Sequence, residues 1–257
     1  MDALAPNCET QPRSPGSKTP SIVWCMMAAM TPATVLIFCA TLASVGTGSA
    51  VLYELNADGS ASLSPAEIIT RFVLLLALSL SGIYAARQSG LPGSLVLTSE
   101  NRWTAIRDFM IYGVWPGLVL GVVNYLMFFG YRYSPLVQPG VRNIGSAYDS
   151  LVVSLNAAVS EEVLFRLFIV SALVLFLRQI YEKVFHVWPR LSALAPGVVA
   201  LVASSLVFAV AHNVYGFTAA FFGGMVLGIL YMNGGVESAI AAHFVANLLF
   251  FSASYLN

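Results

Sequence analysis

Apolar runs about as long as a lipid bilayer is thick follow one another along most of this chain. They lie near residues 22–45, 68–86, 109–130, 151–177, 194–212, 214–232 and 236–255. A membrane-crossing helix needs roughly 20 consecutive, mostly apolar residues. In hydrocarbon every backbone polar group must be satisfied within the protein, which makes the helix the natural form for such runs. The expected fold is therefore all-α, a multi-pass transmembrane helical bundle of about seven helices. Composition points the same way. Hydrophobic residues make up 58% of the chain and charged residues 9%, whereas a soluble domain carries about 25% charged residues. A net charge of zero gives no pull towards nucleic acid, so the lipid bilayer is the expected partner. Cys8, Cys25 and Cys39 form neither a disulfide framework nor a metal-ligand spacing.

Residues 1–20 are a polar, Pro- and Ser-containing tail, expected to be disordered. Arg13 and Lys18 precede the first apolar run. A signal peptide starts similarly, but its apolar region is only about 7–15 residues long, so 22–45 is expected to stay as a span. Residues 21–150 then form the N-terminal transmembrane helices, and 151–257 a helical core holding the chemistry in the last four helices. Lys and Arg favour cytoplasmic loops. With the N-terminus in the cytoplasm, Arg13, Lys18, Arg87, Arg102, Arg107, Arg178, Lys183 and Arg190 fall on the inner side. Arg71, Arg132 and Arg142 fall on the outer side. No organelle-targeting segment is evident, and the short chain fits a prokaryotic inner membrane.

The connector from Glu54 to Glu67 has oxygen-bearing side chains at Asn56, Asp58, Ser60, Ser62, Ser64 and Glu67, in the spacing of a calcium loop. Ala61 stands where the turn wants glycine, and Asn56 stands where Asp is usual. The simpler reading is a polar connector in which Ser64 and Pro65 start the next helix.

The run 151–177 contains Ser160-Glu161-Glu162-Val163-Leu164-Phe165-Arg166. Ionisable groups inside a span cost roughly 2.5–3.5 kcal/mol each on insertion scales and mark a functional site by default. Residues four apart share a helix face, so Glu162 and Arg166 are expected to form an ion pair. Glu161 points about 100 degrees away and has no local cation, which leaves it free for proton transfer. Two further polar groups interrupt the apolar helices. Phe208-Ala-Val-Ala-His212 closes the fifth run and His243-Phe-Val-Ala-Asn247 lies inside the seventh. None of these polar heads suits lipid, so they should turn inward or towards a water-filled cavity. Gly224 and Gly228 are expected to permit close helix packing and nothing more. Glu161, His212 and His243 could also make a two-His, one-Glu zinc set with an open position. The helix lacks the His-Glu-x-x-His spacing of zinc proteases, however.

Glu-Glu-x-x-x-Arg, then Phe-x-x-x-His, then His-x-x-x-Asn, on consecutive apolar helices, resembles the CAAX protease and bacteriocin-processing (CPBP, or Abi) family. Those are glutamate-type intramembrane endopeptidases, and the type II CAAX prenyl endopeptidases are among them. The resemblance covers about 151–256. It implies that Glu161 activates water for attack on a peptide carbonyl and that His212 helps hold that water. It implies that His243 and Asn247 stabilise the oxyanion, with Glu162 and Arg166 as the supporting pair and Phe208 packed beside the site. It also implies hydrolysis of a membrane-associated peptide or protein with no cofactor or metal. The residues alone leave open a non-catalytic immunity or scaffold protein on the same fold, and a transporter or proton relay. They leave the oligomeric state open too. One conflict stands. If the helices alternate simply, Glu161, His212 and His243 lie at different depths unless a helix is tilted, overlong or broken.

Overall fold

The computed structural model describes residues 32–58, 63–98, 101–132, 146–184, 189–212 and 216–255. Helix α1 is Pro32–Asp58 and α2 is Pro65–Ser89, and a short helix α3, Leu95–Thr98, follows. Helix α4 comprises Arg102–Phe109, a π-helical turn Met110–Val114 and Trp115–Arg132. Helix α5 comprises Ala147–Glu162, a π-helical segment Val163–Val170 and Ser171–Val184, and α6 is Pro189–Ala211. The stretch Phe217–Tyr255 is helical on both sides of Gly235, whose φ of 74° and ψ of 176° are not helical. No strand occurs among the described residues, and the all-α expectation holds. The tail 1–20 and positions 59–62 of the 56–67 connector lie outside the described residues.

Gly235 divides the last stretch into two arms, α7 (217–234) and α8 (236–255). The Gly224 carbonyl and the His243 ring both reach the buried Glu162–Arg166 pair. An unbroken helix would hold positions 224 and 243 about 28 Å apart. The chain therefore folds back on itself at Gly235. Leu227 and Leu230 of α7 share a core with Ala242 of α8, as an antiparallel hairpin requires. Among the described residues six stretches are long and apolar enough to cross a membrane, and this hairpin fills the last of them, Phe217–Ala253.

Local chemistry explains the helix ends. Ser64 caps α2 and Pro65 takes its first position; the Glu67 carboxylate accepts from the Ser64 amide at 2.7 Å while Ser64 Oγ accepts from the Glu67 amide. This reciprocal capping box commits Glu67, the last position of the calcium-loop spacing, to the helix start, as the polar-connector reading expects. Ser146 caps α5, its Oγ accepting from the Asp149 amide at 3.1 Å. Helix α1 runs past 45, where its apolar run was expected to end. Gly46, Thr47, Ser49 and Ala50 are small enough to be buried there, and Ser49 Oγ donates to the Val45 carbonyl at 2.6 Å. That internal bond hides a hydroxyl which a hydropathy reading counts as a break.

Helix α5 is the central post. Val159, Val163, Leu167, Val170 and Val174 form one core with Cys39 and Ala43 of α1, Leu75 and Ile83 of α2, and Tyr231 of α7. Gly82 lets α2 lie directly on the π-helical segment, since a Cβ there would come within 2.6 Å of the Leu167 carbonyl oxygen. On the other flank, Gly113, Gly117 and Gly121 of α4 lie against Ala241, Ala242 and Leu249 of α8. The outward faces carry exposed Ile37, Ile69, Val119, Leu126, Val210 and Phe222, a surface suited to lipid.

The depth conflict is resolved by unequal helices. Ser171 and Tyr231 share a 2.5 Å hydrogen bond, and Tyr231 is four residues before Gly235. The α7–α8 reversal is thus only slightly further along than Ser171, and α5 continues beyond it to Val184. At this end Arg178 of α5 donates to the Ser89 carbonyl at the end of α2. The linker after α2 meets the reversal as well, through Val236 N–H donating to the Gly93 carbonyl at 2.9 Å.

Candidate active site

Glu161 and Glu162 close the α-helical part of α5, and the π-helical segment begins at Val163. π-helical turns have an i→i+5 hydrogen-bond pattern and collect at functional sites. This one changes the phase of the helix directly behind the two acids. The Phe165 carbonyl, within it, accepts from Ser204 Oγ of α6 at 3.0 Å.

Glu162 is fully buried and carries two partners on one oxygen. Its Oε1 lies 3.2 Å from Arg166 Nη1 and accepts from His243 Nδ1 at 2.7 Å. Arg166 is equally buried. It donates weakly to the Gly224 carbonyl at 3.4 Å, and its guanidinium sits 4.3 Å over the Phe208 ring. Gly224 therefore does more than permit packing. Without a Cβ it sits against Ser205 and Phe208, and its backbone oxygen meets the buried cation.

Glu161 differs from its neighbour. Its side chain is 31% exposed, and Oε2 lies 3.8 Å from His243 Nε2. That oxygen is enclosed and has no hydrogen-bond partner. An enclosed carboxylate oxygen without a donor is costly, which makes it a place for a substrate or water proton. Because Nδ1 of His243 donates to Glu162, Nε2 is the nitrogen left facing Glu161.

Phe208 is the hub of the aromatic wall. Its ring centroid is 5.0 Å from Phe165, 4.5 Å from His212 and 6.2 Å from His243. His212, at the exposed end of α6, donates from Nδ1 to the Phe208 carbonyl at 2.8 Å. The Phe208 ring stands beside both imidazoles, and among the described residues His212 makes no ion pair with Glu161. Asn247 is half-buried one helical turn beyond His243. The structure thus gathers Glu161, Glu162, Arg166, Phe208 and His243 in direct contact, with His212 reached through Phe208 and Asn247 through the helix. Among the described residues no three of His, Cys, Asp and Glu gather as a group that could hold a metal ion.

Three features were not legible in the sequence reading. The π-helical segment has no motif of its own. The Ser204–Phe165 bond depends on it. Glu237, two residues after Gly235, belongs to no motif, although an acid in an apolar run is the same signal that marks Glu161.

Comparison with known proteins bears on the C-terminal part. Residues 143–249 match the family described as type II CAAX prenyl endopeptidase Rce1-like. No curated protein and no solved structure matches the chain. The matched residues include every candidate position from Glu161 to Asn247. The match to a membrane-protease family, together with six stretches among the described residues long and apolar enough to cross a bilayer, supports an integral membrane protein of protease type, which implies a peptide or protein substrate at the membrane. Residues 143–249 are thus similar to the Rce1-like type II CAAX prenyl endopeptidases, which supports the resemblance to the CPBP family.

Proposed function

We propose that the protein is a metal-independent intramembrane endopeptidase in which Glu161 activates the attacking water. The observation that carries this reading is the division of labour between adjacent acids. Each acid keeps one oxygen without a hydrogen-bond partner, but Glu162 is fully buried with its other oxygen held by Arg166 and His243, while Glu161 is 31% exposed and lies 3.8 Å from His243 Nε2. In the proposed reaction a water O–H proton moves to the Glu161 carboxylate as the water oxygen bonds to the peptide carbonyl carbon. The carbonyl oxygen becomes an oxyanion, for which protonated His243 Nε2 and the Asn247 amide are the donors. A single donor of this kind is often worth about 2.7–4 kcal/mol. The C–N bond then breaks, and Glu161 returns the proton to the leaving amine. His212, with Nδ1 engaged by the Phe208 carbonyl, presents Nε2 to help orient the water. Glu162 sets the ring orientation of His243, and Arg166 balances the buried charge.

The test compares peptide termini in membranes from cells with wild-type protein and with Glu161→Gln. General acid–base groups contribute about 10²–10⁴-fold. Processing of at least one membrane peptide should fall by that order while the variant stays folded. Unchanged termini would overturn the reading. The run Glu161, His243, Glu162 is also the arrangement a proton relay needs, and a relay would instead give pH-driven flux in liposomes that Glu161→Gln stops.

A further inference from the structure

The reversal at Gly235 is clasped to the linker between α2 and α4 by a set of bonds that the proposed reaction does not use. Glu237, in the first turn of α8, accepts from Ser94 Oγ, from the Leu95 amide at 2.8 Å and from the Val96 amide at 3.1 Å. The bonds run both ways, because the Val236 amide donates to the Gly93 carbonyl at 2.9 Å. The fit is close. A Cβ on Gly235 would lie 2.8 Å from the Leu95 nitrogen. Ser238 Oγ donates back to the Gly234 carbonyl at 2.7 Å, which ties α8 to the last residue of α7.

The linker is itself anchored. Gly90 and Leu91 amides return to the Arg87 and Ala86 carbonyls and close α2, and Arg178 of α5 holds the Ser89 carbonyl. Glu237 therefore connects the start of α8 to a frame made by α2 and α5. His243 is six residues further along α8, about 9 Å of rise. It must meet Glu162 of that same α5. A helix anchored at its first turn has little freedom to slide or rotate at its second and third.

We propose that Glu237 is a positioning residue: by clasping residues 94–96 it sets the register of α8 and so the contact of His243 with Glu162. The consequence for hydrolysis rests on the function proposed above, but the mechanical link does not. It would orient His243 whichever chemistry the site performs.

The link can be read without a substrate. The chain has three histidines, His186, His212 and His243. In full-length protein labelled with ¹⁵N-histidine in detergent, the His243 Nδ1 proton bound to Glu162 should give a low-field resonance, assigned by its loss in His243→Gln. Glu237→Ala should remove or strongly shift that resonance while unfolding stays cooperative. A folded Glu237→Ala protein with the resonance unmoved overturns the proposal, since a merely structural clasp would lower the unfolding temperature only. If Glu237→Ala does not fold, Ser94→Ala decides. It removes one donor from the clasp, so a shifted His243 resonance supports the proposal and an unmoved one overturns it. Loss of processing in Glu161→Gln tests the peptidase reading separately, so either idea can fail alone.

Discussion

At the scale of single residues, the site is built on an exchange of partners within one buried ion pair. Glu162 and Arg166 are both fully buried, and neither is held by the other alone. Glu162 also binds His243, and Arg166 rests on the Phe208 ring. Removing one member of a buried pair leaves an unbalanced charge and typically costs about 3–5 kcal/mol. Arg166→Leu should therefore lower stability by that order, measured by thermal unfolding in detergent. Glu162→Gln combined with Arg166→Leu should recover part of the loss, because neither member of the pair is then left without its counter-charge. A double variant no more stable than Arg166→Leu alone would argue against charge balance as the cause. The ion pair was legible from a spacing of four. The tie to His243 was not, since 81 residues separate the two positions and nothing local records it.

At the scale of elements, the helices meet through glycines whose value depends on what faces them. Gly82 of α2 lies on the backbone of the α5 π-helical segment, and a Cβ would come within 2.6 Å of the Leu167 carbonyl oxygen and 2.8 Å of its carbon. Backbone cannot swing aside as a side chain can. Gly82→Ala should cost about 1–3 kcal/mol as overpacking does, and it should also disturb the site, because Leu167 adjoins Arg166. Gly48 of α1 is the control. A Cβ there meets nothing within 4 Å, so Gly48→Ala should be neutral or stabilising by about 0.5–1 kcal/mol through helix propensity. Parallel unfolding curves for the two variants would check the contrast. Both glycines look alike in the sequence, as small residues in apolar runs. The difference lies in the neighbouring helix.

At the scale of the whole molecule, one backbone reversal decides whether the spacing of polar groups along the chain becomes a site in space. Gly235 adopts φ 74° and ψ 176°, a region open essentially to glycine and costing other residues about 1–3 kcal/mol. Gly235→Ala adds contact with the Leu95 nitrogen to that strain. It should lower stability by at least this amount and weaken the His243–Glu162 bond, read by unfolding and by the His243 proton resonance. Orientation is also a property of the whole chain. The bias of Lys and Arg predicts that a cysteine replacing Lys183 is reached by an impermeant thiol reagent only from the cytoplasmic side, and one replacing Ser64 only from the opposite side; the inverse pattern would reverse the topology. Hydropathy by itself determined that this chain is a helical membrane bundle, because backbone groups in hydrocarbon leave few alternatives. The polar motifs by themselves determined which residues are chemically expensive and so worth attention. Only the tertiary structure decided that α7 and α8 fold back at Gly235, that α5 overhangs the reversal, and that Glu162 rather than Glu161 takes the first claim on His243. Those outcomes depend on which helix faces which, and the energy that selects among them comes from contacts between residues far apart in the chain.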